Sequence, residues 1–392
     1  MRFLYALIIL ILSISTAQAG IPGDADGNDK LSLEELSDAV LSCMLEGHPE
    51  LNDLRDAAHV YTYWNGEPRS IVDSSGKKIT IYRPIKSMVV LNSNLLEAIA
   101  VLNASEKVTG VAETITKYSR FFPEFSRLPS VGKWSEPDME AILKLNPDAV
   151  CAYTAWPEPA GLEDKLPAAL NVIRLDFYKA EALKAEMQKL GYLLEKEENA
   201  EKYLEWHERY VEAIKEKVSG ISEENKTRVF IDAGGGKTFG RSAYSTGTGM
   251  NDLCVMAGGI NIAEDHVKGY ADVETEWILK EDPDIIVGIS YKGGYETDNE
   301  TLMKAHFDEI LKLPGFDNVT AVKNSRVYII SNSFAFAPHY PAALATMAKW
   351  LYPDIFKDID PGAIHQEYID RFQRIDYNVS RQGVFVYPDV KE

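Results

Sequence analysis

Short apolar runs rich in β-branched residues recur along this chain with helical stretches between them, and one long helical segment interrupts the alternation. The runs fall at 87–91, 149–152, 172–175, 229–232, 285–289 and 327–330. Runs of this kind suit parallel strands buried on both faces, and strands alternating with helices build right-handed β-α-β units. Between 179 and 219 there is neither proline nor a strand-like run, and Leu183, Met187, Leu190 and Leu194 recur at helical spacing. That segment reads as one long helix, or two joined near Gly191. A linker so poor in Gly, Ser and Pro is a stiff strut.

A repeated phrase supports two similar halves. EAILKLNPDAV at 140–150 returns as EWILKEDPDII at 276–286, too far apart for a short-period solenoid. In the first copy Ser135 is the expected N-cap, Pro137 lies in the first turn and Pro147 ends the helix. Met139, Ile142 and Leu143 face inward and leave Glu140 outward. In the second copy Ile278 and Leu279 are inward and Glu276 outward. Each helix feeds a buried strand. The expected fold is α/β, with two Rossmann-like lobes at 67–178 and 220–392 joined by a long rigid helix at 179–219.

The N-terminus carries different information. Arg2, an apolar stretch over 3–14 and Ala17-Gln18-Ala19 make an export signal at 1–19, and the stretch is short for a membrane span. No cysteine follows the cleavage site, so the usual bacterial lipid attachment point is missing. The expected location is periplasmic or the extracellular cell surface. A small helical module at 20–66 then opens with GDADGNDKLSLEEL. Oxygen side chains fall at loop positions 1, 3, 5 and 12, which are Asp24, Asp26, Asn28 and Glu35. Lys30 offers its backbone carbonyl at position 7, and Leu31 is the apolar plug. This spacing wraps one hard cation, so Ca²⁺ in a structural role is expected. The departure is Asp29, where the turn needs positive φ and glycine is usual. The stretch resembles an EF-hand or dockerin-type calcium loop.

Composition removes other classes. A net charge of −19 leaves no concentrated cation for nucleic acid. Cys43, Cys151 and Cys254 are odd in number and scattered, giving neither a disulfide framework nor a CxxC metal site. The seven histidines contain no HExxH pair, and no GxSxG elbow is present. DAGGGKT at 232–238 fails as a nucleotide loop, because a Walker motif needs glycine where Ile231 stands. No enzyme is expected.

The segment 73–91, the block GKWSEPDMEAILKLNPDAV, the interlobe helix, FIDAGGGKTFGRSAYSTGTGMNDLCVMAGGINIAED and VETEWILKEDPDIIV, in this order over roughly 70–392, resemble the substrate-binding proteins of ABC importers. The resemblance is to the class with a rigid interlobe helix that binds ferric siderophores, haem or cobalamin. It implies a monomer that holds a small-molecule metal chelate, most simply a ferric siderophore, between its lobes. It also implies docking through Glu140 and Glu276 on an ABC permease served by a cytoplasmic ATPase. The ligand is expected at loops following the carboxyl ends of parallel strands. On the first lobe these offer Asn92, Ser93, Tyr118, Arg120, Trp134, Tyr153 and Trp156. On the second they offer Arg241, Tyr244, Tyr291, Phe336 and His339. Aromatics suit flat macrocycles or catecholates, and cations suit anionic chelates. Cobalamin, haem or molybdate/tungstate on the same fold are alternatives, and a calcium-dependent adhesion or scaffold protein is an alternative of another class.

Overall fold

Ser32 starts the first helix of the chain by a reciprocal cap: its hydroxyl accepts from Glu35 N, and the Glu35 carboxylate accepts from Ser32 N at 2.9 Å. A computed structural model describes residues 20–389, and the export signal expected at 1–19 lies outside them. Helix α1 (Leu33–Glu46) ends at Gly47, whose φ is +76°, and α2 (Leu51–Tyr63) follows. Ile21, Leu31, Ala57 and Val60 form their small core, with Leu36, Tyr61, Trp64 and Tyr82 packed around it. Leu31 N donates to Gly66 O at 2.8 Å. Gly66 has φ +82°, and a Cβ there would sit 2.5 Å from Leu31 O, so only glycine fits. A hairpin of β1 (Arg69–Val72) and β2 (Lys78–Ile81) turns at Gly76.

The first lobe is a four-stranded parallel sheet. Its strands β3 (Met88–Val90), β4 (Val108–Val111), β5 (Ala149–Ala152) and β6 (Asn171–Arg174) lie in the order β4-β3-β5-β6. Strand β4, read as VTGV, lacks the continuous apolar run of its neighbours and was not legible as a strand. Gly110 within it lets Leu145 approach, since a Cβ would meet that side chain at 2.5 Å. Helix α3 (Ser93–Val101) is buried along almost its whole length, and α4 (Met139–Leu145) covers the sheet through Ile142.

The interlobe segment differs from a straight strut. Helix α5 (Ala180–Leu194) ends at Glu195, with φ +58°, and α6 (Glu197–Ser219) begins two residues later. Lys184 pairs with Glu208; the two stand equally far from that break, so the helices run antiparallel as a hairpin. The break lies beyond Gly191, whose role is packing: a Cβ there would be 2.8 Å from Ala200. The stiff member is α6 alone. Its 23 residues span about 34 Å, and it touches the first lobe through Asn199 Nδ2 on Leu102 O and the second through Tyr203 on Pro338 O.

The second lobe is built on a mixed sheet. Parallel strands β7 (Arg228–Gly235), β11 (Ile285–Ser290) and β12 (Val327–Ser331) form its centre. Antiparallel to their neighbours are β8 (Arg241–Tyr244), β10 (Tyr270–Val273) and β13 (Val386–Tyr387), in the order β10-β8-β7-β11-β12-β13; short β9 (Ile260–Asn261) pairs with β7. The glycines of DAGGGKT turn β7 into β8. A Cβ on Gly236 would lie 1.7 Å from Phe239 O, which explains the glycine without a phosphate. Helices α7 (Gly249–Met256), α8 (Thr275–Glu281), α9 (Thr301–Leu311), α10 (Thr320–Lys323), α11 (Asn332–Ala335), α12 (Tyr340–Leu351) and α13 (Pro361–Tyr368) flank the sheet. Phe230, Ile278, Ile286, Met303, Phe316 and Ile329 are among the side chains of its core.

The repeated phrase forms the same unit twice. Helices α4 and α8 each have seven residues and bury Ile142 and Ile278. They end at left-handed Asn146 (φ +45°) and Asp282 (φ +44°) before proline, and feed β5 and β11. The N-cap of α4 is Asp138, three residues beyond the expected Ser135. The Asp138 carboxylate accepts from Glu140 N and Ala141 N, whereas Pro137 donates no N–H and lies outside the helix.

Candidate ligand-binding cleft

The loops that leave the carboxyl ends of β3, β5 and β6 build one wall. Asn92 N-caps α3, its Oδ1 accepting from Leu95 N at 2.7 Å, and its Nδ2 is buried without a partner. Ser93 sits beside the Tyr153 hydroxyl, which donates to Asn94 Oδ1 at 2.8 Å. The Tyr153 ring meets Trp134 edge-on at 5.9 Å and Tyr178 at 5.8 Å. Burial pushes the Tyr153 phenol above its ordinary range, so it stays a neutral donor. Trp156, in the next turn, is 50% exposed. Tyr118, on the loop after β4, is also exposed.

Arg174, at the end of β6, fixes that wall from beneath. The buried guanidinium forks onto Glu163 at 2.7 and 2.7 Å and donates to the carbonyls of Tyr153 at 2.6 Å and Pro157 at 2.7 Å. Burial raises the Glu163 carboxyl, but the Arg174 hydrogen bonds outweigh it and hold it below the usual carboxylate range. The sequence reading missed Arg174 because it lies at the end of an apolar run, where a lone arginine marks nothing.

The opposite wall comes from β8 and β11. Tyr244 and Tyr291 share a hydroxyl hydrogen bond at 2.7 Å, and Tyr244 meets Tyr270 edge-on at 5.2 Å. Lys237 lies 5.4 Å above the Tyr270 ring. Tyr291 is 67% exposed. Phe336 is half-buried and packs against Gly249, where a Cβ would lie 2.7 Å from its ring and 3.2 Å from Tyr178 O. Tyr178 of the first lobe therefore reaches α7 of the second, and the two walls meet there. Tyr178 and Tyr270 were also missed: Tyr178 lies three residues past the run at 172–175, and Tyr270 opens a strand that no apolar run marks.

Three expected ligand contacts require correction, the first being Asn92, which is 2% exposed and caps α3 instead of facing the cleft. Arg241 is 2% exposed and committed on both sides: it forks onto Asp232 at 2.8 and 2.6 Å and pairs with Glu309. Asp232 also bonds His306 at 2.8 Å. Burial raises the Asp232 carboxyl, but His306 and Arg241 together hold it below its ordinary range. Arg241 thus braces the β7–β8 hairpin from inside. His339 is fully buried, with its Nδ1 2.7 Å from Glu97 Oε1. It ties α12 to α3 and offers nothing to the facing loops.

Arg120 bridges the lobes. Its guanidinium forks onto Asp298 at 2.7 and 2.7 Å, and Nη1 donates to Tyr295 O at 3.3 Å. The backbone N–H groups of Arg120 and Phe121 both donate to the Glu296 carboxylate, and the Phe121 ring stacks on Tyr295 at 3.8 Å. The loop after β4 is thereby fastened to the loop after β11.

Outside these walls, Glu140 and Glu276 are both exposed in the first turns of α4 and α8. In the N-terminal loop, one carboxylate oxygen from each of Asp24, Asp26 and Glu35 lies within 4.8 Å of the others. Asp24 accepts from Gly27 N and Asp29 N, and Asn28 Oδ1 accepts from Lys30 N. Asp29 takes φ +62°, the conformation its position demands. Hydrogen bonds from Ser32 hold the Glu35 carboxyl below its ordinary value. This oxygen-only donor set fits a hard cation.

Comparison with known proteins places this geometry. A family model described as Periplasmic binding protein matches residues 88–333. The Molybdate-binding protein MolA of Haemophilus influenzae is 24% identical over 338 residues, covering 79% of this chain and 92% of that protein. An ABC transporter substrate-binding lipoprotein of Bacillus subtilis, YvrC, is 25% identical, over 74% of this chain and 88% of its own length. Among solved structures, the TroA-like periplasmic binding protein FepB from Veillonella parvula superimposes with a TM-score of 0.65 at 24% identity, covering 81% of this chain and 99% of that one.

Proposed function

The chain belongs to the periplasmic binding protein family, as a substrate-binding protein of an ABC importer, and from that premise we propose that its cargo is a metal chelate of the ferric siderophore type held between the two lobes. The observation that carries this reading is the supply of exposed aromatic surface on both walls: Tyr118, Trp134 and Trp156 on one, Tyr270 and Tyr291 on the other. Broad aromatic faces suit a flat, conjugated ligand, whereas a bare oxyanion needs a tight cage of N–H and hydroxyl donors. A small oxyanion is the second reading, favoured by the molybdate-binding relative; cobalamin and haem remain within the same receptor class. In this reading the protein has no catalytic chemistry.

Loaded protein docks on the permease through Glu140 and Glu276, one exposed carboxylate per lobe. Charges so placed set orientation and encounter rate more than affinity. Calcium in the Asp24–Glu35 loop serves the N-terminal module alone, by closing the loop onto the start of α1.

Tryptophan fluorescence of the exported chain, titrated with ferric siderophores, haemin, cobalamin, molybdate and tungstate, tests the reading. Strong saturable quenching by an iron chelate supports it. A response to molybdate or tungstate alone moves the cargo to an oxyanion. Folded protein that responds to no member sinks the receptor reading.

A further inference from the structure

The Arg120–Asp298 pair joins the loop after β4, which carries Tyr118, to the loop after β11, which carries Tyr291. Arg120 is held in place without Asp298: its own N–H and that of Phe121 are fixed by Glu296, and Phe121 is stacked on Tyr295. Asp298 also has a second anchor, since its Oδ1 accepts from Gly383 N at 2.8 Å. The carboxylate is 50% exposed. Another paired cation, Lys179, is bound at 2.7 Å to Asp176, which is buried and also accepts from Thr154 N. Asp176 cannot leave without stranding a buried charge. Asp298 is half exposed, so water can meet its charge when it leaves, although the Oδ1 that Gly383 N holds is the one Arg120 Nη1 also binds.

We propose that Asp298 is an internal stand-in for an anionic group of the cargo, exchanged for the cargo's own oxygens on the Arg120 guanidinium when ligand binds. The inference rests on the receptor reading above and narrows it: the cargo class is anionic, with two oxygens spaced to match a guanidinium fork. The empty protein keeps Arg120 neutralised and aimed, and neutral or cationic chelates cannot displace the carboxylate. A half-exposed ion pair contributes little to stability, so exchange with a better-placed anion is energetically accessible.

The test titrates wild type, Asp298→Asn, Arg120→Lys and the charge control Asp358→Asn with a trianionic tris-catecholate ferric chelate, a neutral tris-hydroxamate ferric chelate and molybdate, after thermal melts establish folding. The expected result is about tenfold tighter binding of the anionic ligand by Asp298→Asn, with neutral binding unchanged. Asp358→Asn should match wild type, and Arg120→Lys should weaken the anionic ligand alone. Equal or weaker anion binding by Asp298→Asn overturns the exchange while the receptor reading stands, as does weakening of all ligands alike, which would make the pair a simple lobe fastener. Silence of wild type toward every probe overturns the siderophore-type cargo and the exchange with it.

Discussion

Glu97 of α3 and His339 at the start of α12 meet at 2.7 Å across the lobe boundary. The same Glu97 oxygen accepts from Tyr368 at 2.6 Å, and Gln373 Nε2 donates to Glu97 O. Every one of these partners comes from the second lobe, so one buried side chain of the first registers the two. Glu97→Ala strands the Tyr368 hydroxyl and the His339 ring and should cost about 3 kcal/mol. Glu97→Gln keeps an acceptor and should cost less. Urea unfolding measures both; equal midpoints for wild type and Glu97→Ala would remove the registering role.

Acid should weaken the protein through His207. Burial between Tyr203 and Tyr340 lowers this imidazole from 6.5 to about 4. Between those values the unfolded chain binds the proton and the folded one does not, so stability falls as pH drops from 6.5 toward 4. The full loss is about 3 kcal/mol. His207→Phe should flatten this part of the pH–stability curve; an unchanged slope would exclude His207 as its source.

Arg174→Met removes the fork that holds Glu163 and the carbonyls of Tyr153 and Pro157. The stranded acceptors should cost about 3–5 kcal/mol, and the emission of Trp156 should shift as its loop loosens. A variant that melts with wild type and keeps its emission maximum would show that the loop holds itself.

The paired substitution Glu140→Ala with Glu276→Ala should leave ligand affinity intact and reduce uptake by cells at least tenfold. Normal uptake with normal binding would assign docking to another surface.

Calorimetric titration with Ca²⁺ should give one site with a Kd on the order of 10⁻⁴–10⁻³ M, lost in Asp26→Ala. Heat that survives Asp26→Ala would place the ion elsewhere.

The sequence carried the parallel strands that hold a continuous apolar run, wholly buried in AVCA at 149–152 and IIVGIS at 285–290, and missed VTGV at 108–111, which has none. Strands such as RSAY at 241–244 were hidden, since only β7 alongside gives a serine and an arginine reason to lie in a sheet. The repeated phrase located where α4 and α8 end, because proline after a left-handed cap ends a helix by sterics, but it placed the start of α4 three residues early. Most loop aromatics on the facing edges were legible from strand ends, but Tyr178 and Tyr270 were not. The fates of Arg241 and His339 were not: whether a charged group faces ligand or brace depends on Asp232 and Glu97, which no local pattern links to them. The helical hairpin was half visible; its composition forbade a loop, but nothing in KAEALKAEMQKLGYLLEKEENAEKYL fixes the turn at Glu195 rather than Gly191.

The contacts of α3 also impose an order of assembly. The first lobe's strands are all made by residue 174, yet Glu97 finds its partners only among residues 339–373, and Arg374 donates to Ala100 O at 3.0 Å. Until that part of the chain is in place, α3 carries a carboxylate whose lodging does not yet exist. The lobe can collapse early but cannot finish, and its last step waits on contacts of very long sequence separation. Completion of the first lobe therefore depends on residues 339–374 of the second.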